Sequence, residues 1–260
     1  MEKEYKLRVK LPRVILGAPL PETENPFLAI PFEEVSIDMA VRECGRARLN
    51  VEGSGRLEHL INAFYQRLSE AAPGLCIDAH YEAPENTSPA GLYAAITSAL
   101  SYSIARYNGE KLEPWEIVEL SRYADPFDPP KGWHHVVDAL RYSLATGKPA
   151  VYRNDEEFAV IESSTSHPSP KVSNVIEVEA GRLVSRDKTG GEVYNALVKL
   201  TGLLVLEGAV KLREQGLTPL ISDLARVQNG IIYIGFGASP SGERCVVAPG
   251  LPGYLEESCW

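Results

Sequence analysis

Two stretches of this 260-residue chain hold residue types that could do chemistry at close spacing. In the first, Thr87-Ser88-Pro89-Ala90-Gly91-Leu92-Tyr93 follows a strand-like run and opens a helix. Such small residues leave backbone N–H groups unpaired at the positive end of the helix dipole, where a phosphate can sit. A loop that merely caps its helix has the same composition. In the second, His134, Asp138 and Arg141 stand at i, i+4 and i+7, with His135 beside them. On a helix that spacing gathers an acid, a base and a cation on one face. It equally suits a solvated face carrying an Asp138–Arg141 pair worth at most ~0.5 kcal/mol.

Weaker signals lie elsewhere. Asp125 and Glu119 are carboxylates on or just after a third helix and could hold a magnesium ion, although scattered surface acids are commoner than ligands. Gly235-Phe236-Gly237-Ala238-Ser239-Pro240-Ser241-Gly242 reads as a glycine-rich loop or a plain hairpin turn. Cys44, Cys76, Cys245 and Cys259 lie far apart, without a C-x-x-C pair or a neighbouring His at zinc spacing, so a structural metal is not expected.

The elements that must position these groups follow from periodicity. Alternating apolar residues predict strands at 5–11, 35–41, 47–51 and 75–81. Five prolines between Pro12 and Pro31 predict an extended, loop-rich segment. Helices are expected at 57–68, 91–107, from Pro114 onward and at 133–145. Strands return at 150–153, 157–162 and 174–178. His167-Pro168-Ser169-Pro170 breaks every pattern and marks the expected boundary between domains 1–165 and 166–260. Beyond it come an apolar helix at 191–214, read as buried, a short helix at 218–227, and a hairpin of 230–236 with 244–248. Mixed rather than alternating elements predict an α+β fold.

A composition of 44% apolar and 23% charged residues supports a packed core, and a net charge of −9 without a basic run argues against nucleic acid as a partner. The charged start and the lack of a full apolar span predict a cytoplasmic protein with no membrane partner. A small-molecule substrate is expected, and a homodimer is left open.

The order of strand, helix 57–68, strand 75–81 and loop 87–93 resembles the N-terminal domain of the GHMP small-molecule kinases. Their signature is a proline, small residues, Gly-Leu-Gly-Ser-Ser and Ala-Ala opening a helix. Pro89-Ala90-Gly91-Leu92-Tyr93-Ala94-Ala95 is similar to it, and to the Ala-Ala-Gly-Leu-Ala-Ser variant of mevalonate diphosphate decarboxylases, with Tyr93 at the second glycine and Ala94 and Ala95 at the serines. Leu11-Pro12-Arg13-Val14-Ile15-Leu16-Gly17 is similar to the family's Pro-Gly-Arg-x-x-Leu-x-Gly strand, and 235–242 to its last glycine-rich motif.

The resemblance implies an N-terminal domain like the second domain of a small-subunit ribosomal protein, joined to a ferredoxin-like C-terminal domain. It implies ATP and Mg2+ as cofactors, with 87–93 holding phosphates and Asp125 the metal. Asp138 would polarise a substrate hydroxyl, with His134 or His135 near it, and Arg13 or Arg141 would neutralise substrate charge. Gly237 and Ser239 would close over the substrate. Three functions follow as expectations: phosphorylation of a small anionic alcohol, a phosphorylation-coupled decarboxylation, or a catalytically silent relative that binds a metabolite or a partner.

Overall fold

The computed structural model describes residues 2–21, 23–52, 55–71, 73–127, 132–133, 135–155, 157–162, 169–178 and 190–260. Two long antiparallel strands, β1 (Lys3–Leu16) and β2 (Phe27–Glu43), form its spine, in register from Lys3 opposite Val41 to Leu16 opposite Leu28. The sequence dictates how β1 is covered. Alternating residues 3–10 have one face packed, whereas the run Leu11 to Leu16 is buried on both faces. Pro12 faces Pro31 beside a register shift, so the two ends of the proline-rich segment are strand, while the described residues between Leu16 and Phe27 form the expected extended loop. Proline is tolerated where the ladder is irregular.

Strand β3 (Arg48–Glu52) runs parallel to β4 (Leu75–Glu82), joined by α1 (Glu58–Ala71). Strand β4 pairs with the far end of β2, while β5 (Ala150–Tyr152) pairs with its near end and with β6 (Phe158–Val160). Helices α2 (Pro89–Tyr107), α3 (Pro114–Tyr123) and α4 (Val136–Thr146) form a layer over β1 and β2. A second, antiparallel sheet has the order β7 (Lys171–Glu177), β9 (Tyr254–Cys259), β8 (Cys245–Pro249). It is accompanied by α5 (Gly191–Gln215) and α6 (Leu217–Phe236). The chain is therefore an α+β protein.

Two sequence expectations need correction, and two features were not foreseen. Residues 231–236 are the last turns of helix α6, not a hairpin strand. Ile231 and Ile232 are buried while Tyr233 and Ile234 are exposed, a helical pattern that their β-branched chemistry disguises. Strand β9 carries no clear alternation and was not expected. Helix α5 is long and apolar enough to cross a membrane by length and composition, yet it is not enclosed, because only one face is packed. The distant cysteines pair. Cys44–Cys76 ties the end of β2 to β4, and Cys245–Cys259 staples β8 to β9.

One hydrophobic core runs through both sheets, from Leu11, Ile15 and Leu16 of β1 through Leu204 and Val205 of α5 to Val247 and Leu255. Gln228 of α6 reinforces the junction. Its amide donates to the carbonyls of Gly17 at 2.9 Å and Val247 at 3.1 Å and accepts from the Gly17 N–H at 3.0 Å. A Cβ on Gly208 would lie 2.2 Å from Leu16 Cδ1, so glycine lets α5 lie flush on this core. The expected boundary between residues 165 and 166, and residues 167–168 of the break beside it, lie outside the described residues.

Candidate functional site

The first turn of α2 is closed by a side chain from the other sheet. Ser88 is the N-cap, with extended backbone, and its Oγ accepts from the Gly91 N–H at 2.9 Å. The same hydroxyl donates to Glu256 Oε2 at 2.5 Å, and the Ala90 N–H donates to Glu256 Oε1 at 2.8 Å. A carboxylate on β9 thus takes the place at the positive helix end that an anionic ligand would occupy. Burial pushes the Glu256 carboxyl up from its ordinary value, against the opposing pull of Ser88, the Ala90 N–H and the Arg13 charge. Pro89 opens the helix, and Gly91 is required there because a Cβ would lie 2.3 Å from the Pro12 carbonyl oxygen. Thr87 turns back on the loop, donating to the Pro84 carbonyl at 2.6 Å, and Leu92 is half-buried against the core.

Arg13 joins this junction. It is 1% exposed and pairs with Glu33 Oε1 at 2.8 Å, with longer contacts of 3.5 Å to Ser258 Oγ and the Asn86 carbonyl. Ser169 donates to the other Glu33 oxygen at 3.2 Å. One guanidinium therefore lies among two acidic side chains, bonded to Glu33 and near enough to Glu256 to feel its charge, while its Nε is buried without a hydrogen-bond partner.

A second polar cluster lies deeper in the helical layer. Arg141, fully buried, grips Asp125 with both ends of its fork, at 2.8 and 2.7 Å, and donates to Thr97 Oγ1 at 3.0 Å. Tyr93 is also fully buried, and its hydroxyl donates to Asp125 Oδ1 at 2.8 Å. Its ring packs against Phe64 and Phe127 with the Arg141 guanidinium over it. Burial, followed by the Asp125 charge, raises the Tyr93 hydroxyl above its ordinary value. Asp138 is 1% exposed and accepts from Arg122 Nε at 2.8 Å, with His135 Nδ1 at 3.4 Å and Arg141 Nη1 at 3.8 Å. Arg122 in turn forks onto Asp155 at 2.7 and 2.8 Å and donates to the Tyr152 hydroxyl at 2.9 Å. The hydrogen bond from Arg122 lowers Asp155 to about 2, against some burial.

The sequence-derived residues therefore fall into two groups. Ser88, Ala90 and Arg13 meet at the α2 start, while Tyr93, Asp125, Asp138 and His135 form a second cluster linked through Arg141, which bonds to Thr97. Nine residues along α2 separate Ser88 from Thr97, about 13 Å. Gly237 and Ser239 are exposed, in a turn attached to β9 through Ser241 and Glu257, and Gly237 serves as the left-handed C-cap of α6. His134 lies outside the described residues. Sequence reading missed Glu33, Arg122, Tyr152, Asp155 and Glu256. The charged types of Arg122 and Asp155 were visible, but nothing local marks them as partners.

These residues do not fit a nucleotide and its metal. Each Asp125 oxygen already accepts from Arg141, one also from Tyr93, and magnesium needs oxygen ligands free to coordinate. The N–H and hydroxyl at the α2 start are committed to Glu256. Asp138 lies between two guanidiniums, which hold it as a counter-ion rather than leave it free as a base.

No known family profile and no curated protein matches the sequence. Its fold, by contrast, recurs in solved structures of GHMP-superfamily members. Mevalonate diphosphate decarboxylase from Staphylococcus aureus superposes with a TM-score of 0.62 at 11% identity, covering 100% of this chain and 88% of that one. Phosphomevalonate kinase from Streptococcus pneumoniae gives 0.59 at 8%, covering 99% and 92%. Mevalonate kinase from Methanococcus jannaschii gives 0.59 at 10%, covering 98% and 90%. At these identities the likeness is one of fold: the chain has the α+β architecture of the GHMP kinases from end to end.

Proposed function

We propose that this chain is a catalytically silent relative of the GHMP kinases, a binding protein built on their fold. The observation that carries the reading is the Glu256 carboxylate bonded to Ser88 and the Ala90 N–H. A polyphosphate entering that helix end would have to displace a buried carboxylate and then meet its charge at close range, in a medium where like charges repel strongly. Tyr93 at the second family glycine and alanines at the family serines support the same reading. On this view Asp138, Arg141 and Asp125 are structural, and binding uses surfaces outside the α2 loop. The two domains, 1–165 and 166–260, act as one body around the shared core.

Paired cysteines persist in oxidising compartments and in the cytoplasm of hyperthermophiles, so a cytoplasmic location is proposed for the second case.

The test is thermal unfolding with and without Mg-ATP. A ligand at a hundred times its dissociation constant stabilises by ~2.7 kcal/mol. No shift is expected here. A shift of that size, accompanied by turnover on any small anionic alcohol, would restore the phosphotransferase reading, and ATP-dependent release of carbon dioxide from a phosphorylated acid would restore the decarboxylase one.

A further inference from the structure

Helix α5 packs one face on the rest of the chain through Leu197, Leu204, Val205 and Leu212. Its opposite face is not the charged surface expected of an ordinary amphipathic helix. Val193, Ala196, Leu200, Leu203, Glu207 and Val210 follow one another at alternating steps of three and four, and all six are exposed. Leu203 is 65% exposed, Leu206 beside the stripe 59% and Val210 53%. A sustained three-four repeat is the pattern by which one helix pairs with another, each apolar residue inserting between those of the facing helix.

The pattern also identifies the partner, because it is complementary to itself in one direction only. Leu203 is the midpoint of the 25-residue helix. An antiparallel two-fold axis through Leu203 brings together residues equally far before and after it. Leu200 then meets Leu206 of the second copy, Ala196 meets Val210, and Lys199 meets Glu207, each contact made twice. Glu207, the acid inside the apolar stripe, lies 3.7 Å from Lys211 one turn on, and Lys199 makes no ion pair among the described residues. The antiparallel arrangement gives Lys199 a counter-ion and Glu207 a second one beside Lys211, whereas a parallel one would set Glu207 against its own copy. Glu192 and Glu214 meet at the ends, where Arg213 of the second copy lies alongside Glu192.

We propose that this face of α5 is the seam of an antiparallel homodimer, an isologous interface in which one patch serves both subunits. Each helix offers a strip about 37 Å long. A single helix pair of that length lies toward the low end of stable interfaces, which bury ~800 Å² per partner. The groove beside Leu206, lined by Val198, Gly202 and half-exposed Phe158, widens the footprint on both sides.

Sedimentation of the intact chain tests this. The wild type is expected at twice the 28.5 kDa chain mass in the micromolar range, and Leu203→Glu as a monomer with unchanged circular dichroism, since Leu203 is not needed for the core. Lys199→Glu and Glu207→Lys alone should each weaken the dimer about tenfold, and the double variant should recover, because the swap restores both ion pairs. No free cysteine exists among the described residues, so Leu203→Cys should cross-link to its own copy under mild oxidation. A wild type that stays monomeric, a dimer that survives Leu203→Glu, or a double variant no better than either single one would overturn the proposal. So would a monomer that floats with anionic phospholipid vesicles, which would assign the stripe to a membrane surface.

Discussion

The Ser88 hydroxyl and the Glu256 carboxylate, 168 residues apart in the chain, share a hydrogen bond of 2.5 Å at the first turn of α2. That bond joins the start of α2 to the second sheet. Its partners also define what should change when it is broken.

Glu256→Ala leaves the Ser88 hydroxyl and the Ala90 N–H buried without an acceptor, at an expected cost of about 1–3 kcal/mol. The opened helix end then has the makings of an anion site. Millimolar inorganic phosphate should recover part of the lost melting temperature in Glu256→Ala and leave the wild type unmoved. Equal responses from both proteins would show that the carboxylate does not close the site.

The buried Glu256 gives stability a pH dependence of known sign. Its folded pKa is raised above the ordinary 4.5, so the native state holds this proton more tightly than the unfolded chain. Its contribution is complete below the unfolded value and is lost as pH rises through the folded one. Glu256→Gln, which keeps the shape without the charge, should therefore gain on the wild type from about pH 5 upward and converge with it below pH 4. Asp155 runs the other way. Lowered from 3.8 to about 2, it stabilises above the higher value and loses that contribution as pH falls toward the lower. Because it is half-exposed, about 1 kcal/mol is expected after screening, read as the difference between wild type and Asp155→Asn in acid unfolding.

Asp138→Asn separates structure from catalysis. The substitution removes one buried charge-assisted hydrogen bond from Arg122, which keeps Asp155, as Arg141 keeps Asp125, and should cost about 1.5–3 kcal/mol in urea unfolding. Tyr93→Phe removes one hydrogen bond to Asp125 and should cost about 1 kcal/mol without creating ATP affinity. An Asp138→Asn protein as stable as the wild type, but altered in some measured turnover, would return Asp138 to a catalytic role.

Reduction provides a further check. Cys245 and Cys259 close a loop of about 15 residues, for which chain entropy gives about 3 kcal/mol. Cys245→Ala/Cys259→Ala should lose that much, most of it felt at β8 and β9 and so at Glu256. Hydrogen exchange at the Ala90 N–H would report it directly.

Much of the scaffold was legible because it depends on local periodicity. The alternation of residues 5–11, the apolar spacing of Leu57, Ile61, Phe64 and Leu68, and Pro89 ahead of α2 each specify an element without help from distant chain. Residues 231–234 misled because isoleucines favour strands in isolation, while α6 is held as a helix by Gln228 and the burial of Ile231 and Ile232. Glu256 was illegible for a different reason. A strand pattern can tell which face a residue takes, not that a carboxylate on the last strand will meet a helix start 166 residues earlier. For Tyr93 the sequence posed the right question, whether the ring points outward or inward, and only packing against Phe64 and Phe127 answers it.

The long reach from Ser88 to Glu256 also bears on how the protein is made. A ribosome adding ~5–20 residues per second needs roughly 8 to 34 seconds to travel from one to the other. During that interval α2 has emerged without the carboxylate that finishes its first turn, and Arg13 lacks the neighbouring charge of β9. The nascent chain therefore passes through a stage in which that helix end has no carboxylate to close it, and only the release and docking of β9 end that stage.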